Sequence, residues 1–272
     1  GWDFEVVHKN KIGGFAYSFH PDFSFVSNEV TKLANVEKDI GKGLFVGEPL
    51  EAIYGYIADG LFVDQQDIDN YADQNYNAEP GTIRYKDISG PDGVPDNIIS
   101  SDYDQKVIGS GIPKYIYGMG ITADYKGFDL YIQLQGEGGM QRQPTGYMFA
   151  FHNGGNIQQW QWDERWSEEN PDRNAAYPRM QPTADHITRT STFWNLDASY
   201  LRIKNIQIGY NLPQSILNKI FIERFRVYLS GQNLKTFDNF YEGWDPEMLI
   251  IGGNITHYPP TRLLILGVNI DF

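Results

Sequence analysis

The chain has 272 residues, with 35 acidic side chains against 22 basic ones and a net charge of -13. It lacks the clustered Lys and Arg that neutralise phosphates, which argues against nucleic acid as a partner. With no cysteine it has no disulfide framework, no Cys-ligated metal and no thiol nucleophile, as suits an exported protein that avoids stray oxidation. No run approaches the ~18 apolar residues of a membrane helix. Aromatic content is nevertheless high, with 18 Tyr, 16 Phe and 6 Trp, as expected where rings girdle a barrel at membrane interfaces.

In chain order, seven segments have strand patterning: Trp2–His8, Phe15–Ser27, Tyr115–Tyr125, Phe128–Gly136, Tyr200–Leu212, Phe225–Asn233 and Arg262–Phe272. The chain opens on Gly1-Trp-Asp-Phe-Glu-Val-Val7, a strand already in progress with no signal peptide, so the natural N-terminus is expected to lie upstream. In the third segment Tyr115, Tyr117, Met119, Ile121, Ala123 and Tyr125 share one side. The fourth answers with Phe128, Leu130, Ile132 and Leu134 against Asp129, Tyr131, Gln133 and Gln135, a polar face too wet for a sandwich core and suited to a barrel lumen. In the fifth, Leu201 and Ile203 are out of phase with Ile206, Ile208 and Tyr210, which predicts a bulge near Lys204-Asn205 or a strand that changes partners there. The last segment alternates strictly, with Leu264, Leu266, Val268, Ile270 and Phe272 on one side, an edge that soluble domains seldom leave bare.

The connections alternate in length. Lys9–Gly14, a Lys126-Gly127 hairpin turn and Pro213–Arg224 are short, whereas the others run about 87, 63 and 28 residues by these boundaries. Outer-membrane barrels have short periplasmic turns, long extracellular loops and a periplasmic C-terminus. Counting back from Phe272 places every short turn on the periplasmic side and every long loop outside. The fold class expected is therefore all-β, an antiparallel transmembrane β-barrel. Seven strands cannot close one, because bacterial barrels take an even number, so residues 1–272 are expected to be the C-terminal segment of a larger barrel.

Two loop features carry candidate chemistry. Asp87, Ser89, Asp92, Asp96 and Asp104 place oxygens at spacings reminiscent of a calcium loop, since a hard cation takes six to eight oxygen ligands. Pro91 adds a residue to that pattern and no closing Glu is present, so a solvated acidic turn is the competing reading. The second long loop holds Tyr147, Phe149, Phe151, Trp160, Trp162 and Trp166, which could stack on sugar faces or meet a partner, or could simply form the small core that so long a loop needs. Trp244 before Asp245-Pro246-Glu247 is expected to pack its own loop. Enzyme signals fail: Gly136-Glu-Gly-Gly139 is not followed by a helix, and neither Gly-x-Ser-x-Gly nor His-Glu-x-x-His occurs.

Several stretches together resemble the SusC/RagA-like TonB-dependent transporters of the outer membrane. They are Asp104-Gln-Lys-Val-Ile-Gly109, Pro113-Lys-Tyr-Ile-Tyr-Gly118, Lys126-Gly-Phe-Asp-Leu130, Asn170-Pro171 with Tyr177-Pro-Arg179, Ala198-Ser-Tyr-Leu-Arg-Ile-Lys-Asn-Ile-Gln-Ile-Gly-Tyr-Asn-Leu-Pro213, Arg226-Val-Tyr-Leu-Ser-Gly-Gln-Asn-Leu234, Trp244-Asp-Pro-Glu247 and the terminal strand. The resemblance implies a barrel of roughly 22 strands around a plug in the outer membrane of a Gram-negative bacterium. It also implies energisation by the TonB system through an N-terminal part not in this sequence, and a SusD-like lipoprotein that helps capture glycans or peptides. Trp160, Trp162 and Trp166 are then candidates for touching substrate or lipoprotein, and Tyr131 and Gln133 for lining the passage. The alternative is a secreted, soluble all-β carbohydrate-binding module, which would dissolve without detergent.

Overall fold

A computed structural model describes residues 1–34, 36–143, 156–181, 187–219, 221–247 and 260–272. Tyr147, Phe149 and Phe151 lie outside the described residues. Eight strands form one antiparallel sheet: β1 (Trp2–Glu5), β2 (His8–Ile12), β3 (Phe15–Phe25), β4 (Tyr115–Tyr125), β5 (Phe128–Gly138), β6 (Tyr200–Asn211), β7 (Arg224–Asp238) and β8 (Leu263–Asp271). From β3 onward each strand pairs with the next in sequence, and β1 and β2 both pair with β3. β1 and β8 are not paired with each other, so the described sheet is an open arc of barrel wall.

The first strand is longer than its sequence pattern suggests. β2 continues through Lys9, Asn10 and Lys11 to Ile12, and the turn is only Gly13-Gly14. The break between β1 and β2 falls at Val6-Val7, beside Pro21 of β3. Val6 donates its N–H to the Pro21 carbonyl at 3.1 Å, but Pro21 has no N–H to return, so the ladder is interrupted there. At the next turn Lys126 and Gly127 both have positive φ, 48° and 89°, the backbone that a two-residue hairpin needs to match the strand twist. The third turn carries the short helix α1 (Gln214–Leu217).

The expected irregularity in β6 is present, and it has a counterpart. Gln133 and Leu134 of β5 face Asn205 and Ile203, skipping Lys204, while β7 passes from Gln232 to Lys235 across the same point. Asn233 absorbs the extra residue with φ of 49°, a left-handed bulge position that Asn tolerates. Because this shifts the alternation, the sequence pattern of β7 ends at Asn233 while the strand itself runs on to Asp238.

Register fixes the two faces of the sheet. Phe19, Ile121, Ile132, Ile206 and Gly231 lie in one row and Tyr17, Ala123, Leu130, Ile208, Leu229 and Leu266 in another. These apolar rows remain uncovered: Leu264 is 74 % and Leu266 75 % exposed. The opposite face carries Ser18, Thr122, Tyr131, Gln207 and Ser230 in a row. An apolar face without a second layer is the polarity of a wall that meets lipid, since in a water-soluble sandwich that face would be packed.

The main buried cluster lies above the sheet, where the three long loops meet. Tyr56, Leu61, Ile83, Tyr85 and Ile99 of the first loop pack with Trp166, Tyr177, Ile187 and Trp194 of the second and Tyr241 of the third. Three loops separated in sequence thus share one core, which turns the long-loop end into a folded layer rather than a set of free arms. Inside the first loop Arg84 joins Asp59 at 2.6 Å and Asp67 at 2.9 Å, and Arg173 of the second loop reaches Asp67 at 2.9 Å.

Candidate functional site

The polar face of the sheet is built from the alternation in β3 to β8. Tyr131 lies between Thr122 of β4 and Gln207 of β6, and Gln133 between Gly120 and Asn205. Both therefore stand on the polar face, near Gly118 and Gly120, and at Gly118 the absent Cβ makes room for the Asp22 carboxylate. Hydroxyls and amides link the strands across this face: Ser18 to Thr122 at 2.7 Å and Ser230 to Asn205 at 3.2 Å. Gln133 is exposed.

At the short-turn end the face is closed by charge. Arg226 of β7 donates from Nε to Asp129 Oδ2 at 2.9 Å and from its terminal nitrogen to Oδ1, although β6 lies between the two strands. Gly209 of β6 permits the crossing, because a Cβ there would sit 2.4 Å from both the guanidinium and the carboxylate. Asn211 completes the set by donating to Asp129 at 3.2 Å. A bidentate guanidinium–carboxylate pair fixes geometry better than a point charge.

At the long-loop end a second arginine anchors the third loop onto the wall. Arg202 of β6 is 1 % exposed and donates to Asp245 Oδ2 and Glu247 Oε2, each at 2.5 Å, and to Thr236 at 2.9 Å. Tyr200 also donates to Glu247, and Gln135 reaches the same carboxylate at 3.3 Å. Trp244 packs against the loop core and donates to Gln158 at 2.9 Å. The Trp-Asp-Pro-Glu stretch is thereby a clasp between wall and loop layer. Alternation alone places Arg202 and Arg226 on the polar face, but their partners, about 40 and 100 positions away in sequence, become visible only with the register.

The three candidate tryptophans occupy different settings. Trp166 is 3 % exposed within the shared core. Trp160, on the helix α2 (Gln159–Asp163), packs against that core and stacks on Tyr241 at 5.8 Å. Trp162, on the same helix, is 49 % exposed, with the Arg165 guanidinium 3.5 Å above its ring. Of the three, Trp162 presents the most surface.

The acidic segment of the first loop is tied to its own backbone. Asp104 is fully buried and accepts N–H bonds from Ile88 at 2.8 Å, Ser89 at 3.3 Å and Ser100 at 2.7 Å. Asp87 accepts from Asn97 at 2.5 Å and Asp96 from Ile98 at 3.0 Å, while Asp92 is exposed on the turn. Among the described residues no three His, Cys, Asp or Glu side chains converge as metal ligands. Burial pushes the Asp87 carboxyl up, outweighing the Asn97 N–H, and the nearby Asp104 and Asp96 charges add to the rise. Burial also acts to raise Asp59, but Arg84 and Lys86 outweigh it and hold Asp59 below its ordinary value.

Burial pushes the hydroxyls of Tyr76, Tyr85, Tyr177 and Tyr241 well above the ordinary tyrosine range. A raised folded-state pKa means that the loop layer keeps its full stability below about pH 10, the value in the unfolded chain, and loses it as pH rises further. Alkaline titration of the full-length protein is expected to show these tyrosines ionising together as the loop layer opens, read by tyrosinate absorbance alongside near-ultraviolet circular dichroism. Gradual ionisation near pH 10 with the dichroism unchanged would show that the rings are not held as described.

No family model matches the chain. It is 28 % identical to TonB-dependent receptor P3 of Formosa agariphila over 297 aligned residues, covering 100 % of this chain and 28 % of that protein. It is likewise 28 % identical to TonB-dependent receptor P26 of the same organism, with 100 % of this chain and 29 % of the relative covered. Among solved structures it superposes on the RagAB peptide transporter with a TM-score of 0.75 and 22 % identity, over 99 % of this chain and 29 % of the other. The RagAB peptide importer in its open-open state gives a TM-score of 0.73, 22 % identity and coverage of 99 % and 28 %. In sequence the chain is therefore similar to TonB-dependent receptors and in fold to a stretch of the RagAB transporter's β-barrel, and it spans under a third of the length of these relatives.

Proposed function

We propose that this chain is the C-terminal part of the wall, with its outer loops, of a TonB-dependent nutrient importer in the outer membrane of a Gram-negative bacterium. The importer takes up glycans or peptides with a SusD-like surface lipoprotein. The plug and the segment that meets TonB come from the rest of the polypeptide. The observation that carries this reading is the polarity of the sheet, with uncovered apolar rows on one face and linked polar rows on the other. Similarity to TonB-dependent receptors over all of this chain supports it. In this division of labour Tyr131 and Gln133 line the passage or meet the plug, and the loop layer, with Trp162 on its surface, faces substrate and lipoprotein.

The test is genetic and biochemical. Disrupting the parent gene in its own bacterium is expected to abolish uptake of one member of a panel of fluorescent oligosaccharides and oligopeptides, as should loss of TonB. The full-length protein should need detergent to leave the membrane fraction. Unchanged uptake of every panel member, or recovery in the soluble fraction without detergent, would overturn the proposal.

A further inference from the structure

The loop layer contains a cavity of about 360 Å³ whose lining combines Trp160, Phe193, Phe240 and Tyr241 with Glu164 and Glu242. Its residues come from the second and third loops, so the cavity exists only because the two share a core. Trp160 is held by stacking on Tyr241, an edge contact to Tyr177 and a 2.8 Å bond from Nε1 to Gln158. Phe240 meets Tyr241 edge-on at 5.3 Å. The rings are thus fixed before any ligand arrives. Both glutamates are exposed, and among the described residues neither forms an ion pair.

Elsewhere in this layer an aromatic cluster comes with its own cation. Arg165 lies over Trp162, Arg179 over Trp166, Arg84 over Tyr71, and Arg189 over Tyr56, Tyr76 and Tyr85. The Trp160 cavity has the rings and two glutamates but no Lys or Arg in its lining. Ring faces attract a cation, and a carboxylate adds directed hydrogen bonds to a guanidinium or ammonium.

We infer that this cavity binds the basic side chain, arginine or lysine, of a peptide reaching the outer loops. The inference rests on the reading that the long-loop end faces solutes outside the cell, and it adds a preference for positively charged peptides. A neutral sugar could use the same ring faces but would gain no attraction between opposite charges at the two glutamates.

Calorimetric titration of purified full-length protein in detergent tests it, using acetyl-Gly-Arg-Gly-amide and the same peptide with citrulline, which keeps the shape and loses the charge. Saturable binding of the arginine peptide is expected, with the citrulline peptide weaker by about fivefold or more. Glu164→Gln and Glu242→Gln, both at exposed positions, should each weaken the arginine peptide and leave the citrulline peptide unchanged. Equal binding of both peptides, no binding of either, or indifference to both substitutions overturns the inference. Binding is read without transport, so retained binding with no uptake counts against the importer and not against the cavity.

Discussion

Replacing Arg202 with methionine is expected to destabilise the anchoring of the third loop by about 3–5 kcal/mol, because Asp245 and Glu247 would be left as neighbouring charges without the cation that both require. Arg202 is almost wholly buried and touches both carboxylates at 2.5 Å, and these are themselves only 13 % and 27 % exposed, so solvent replaces it only in part. Hydrogen exchange of the full-length protein should show lost protection across residues 239–247, and limited proteolysis should cut there first. The combined change Arg202→Met, Asp245→Asn and Glu247→Gln should recover part of the loss, since it removes the orphaned charges along with their partner. Unaltered protection in the single variant would show that the clasp does not hold the loop.

The second large effect concerns the faces of the wall. Ile132→Arg or Leu266→Arg is expected to cost about 2–4 kcal/mol where the site lies near the bilayer midplane, while Gln133→Arg should be mild. Ile132 shares its row with Ile121 and Ile206, and Leu266 opposes Leu229, whereas Gln133 points to the polar side one residue away. Urea unfolding of the full-length protein in lipid or detergent, followed by loss of the heat-modifiable band, gives the comparison. Equal costs at Ile132 and Gln133, or a larger one at Gln133, would mean that the faces are assigned wrongly.

Most of the wall is legible in the residues because a period of two is local information. Tyr115–Tyr125 and Phe128–Gly138 follow their alternation almost to the residue, and the phase change around Lys204 marks a real bulge. Pattern reading falters where backbone chemistry interrupts alternation. Pro21 breaks the strand opposite it, and Asn233, in a left-handed conformation, disguises the continuation of β7. The candidate tryptophans were visible as a composition but not as a division of roles. Only packing separates buried Trp166 from exposed Trp162, and only three loops meeting in one core create the cavity beside Trp160.

By itself the sequence determined the all-β class, the two faces of each strand and the alternation of short turns with long loops. Each of these is set by side-chain pattern within a few residues. The tertiary structure alone decided which charges meet. Asp129 pairs with Arg226 across Gly209, and Arg202 holds Asp245 and Glu247, because strand register and loop closure bring distant residues to the same place. No local pattern encodes such meetings, since they depend on the whole set of hydrogen-bonded neighbours between the partners.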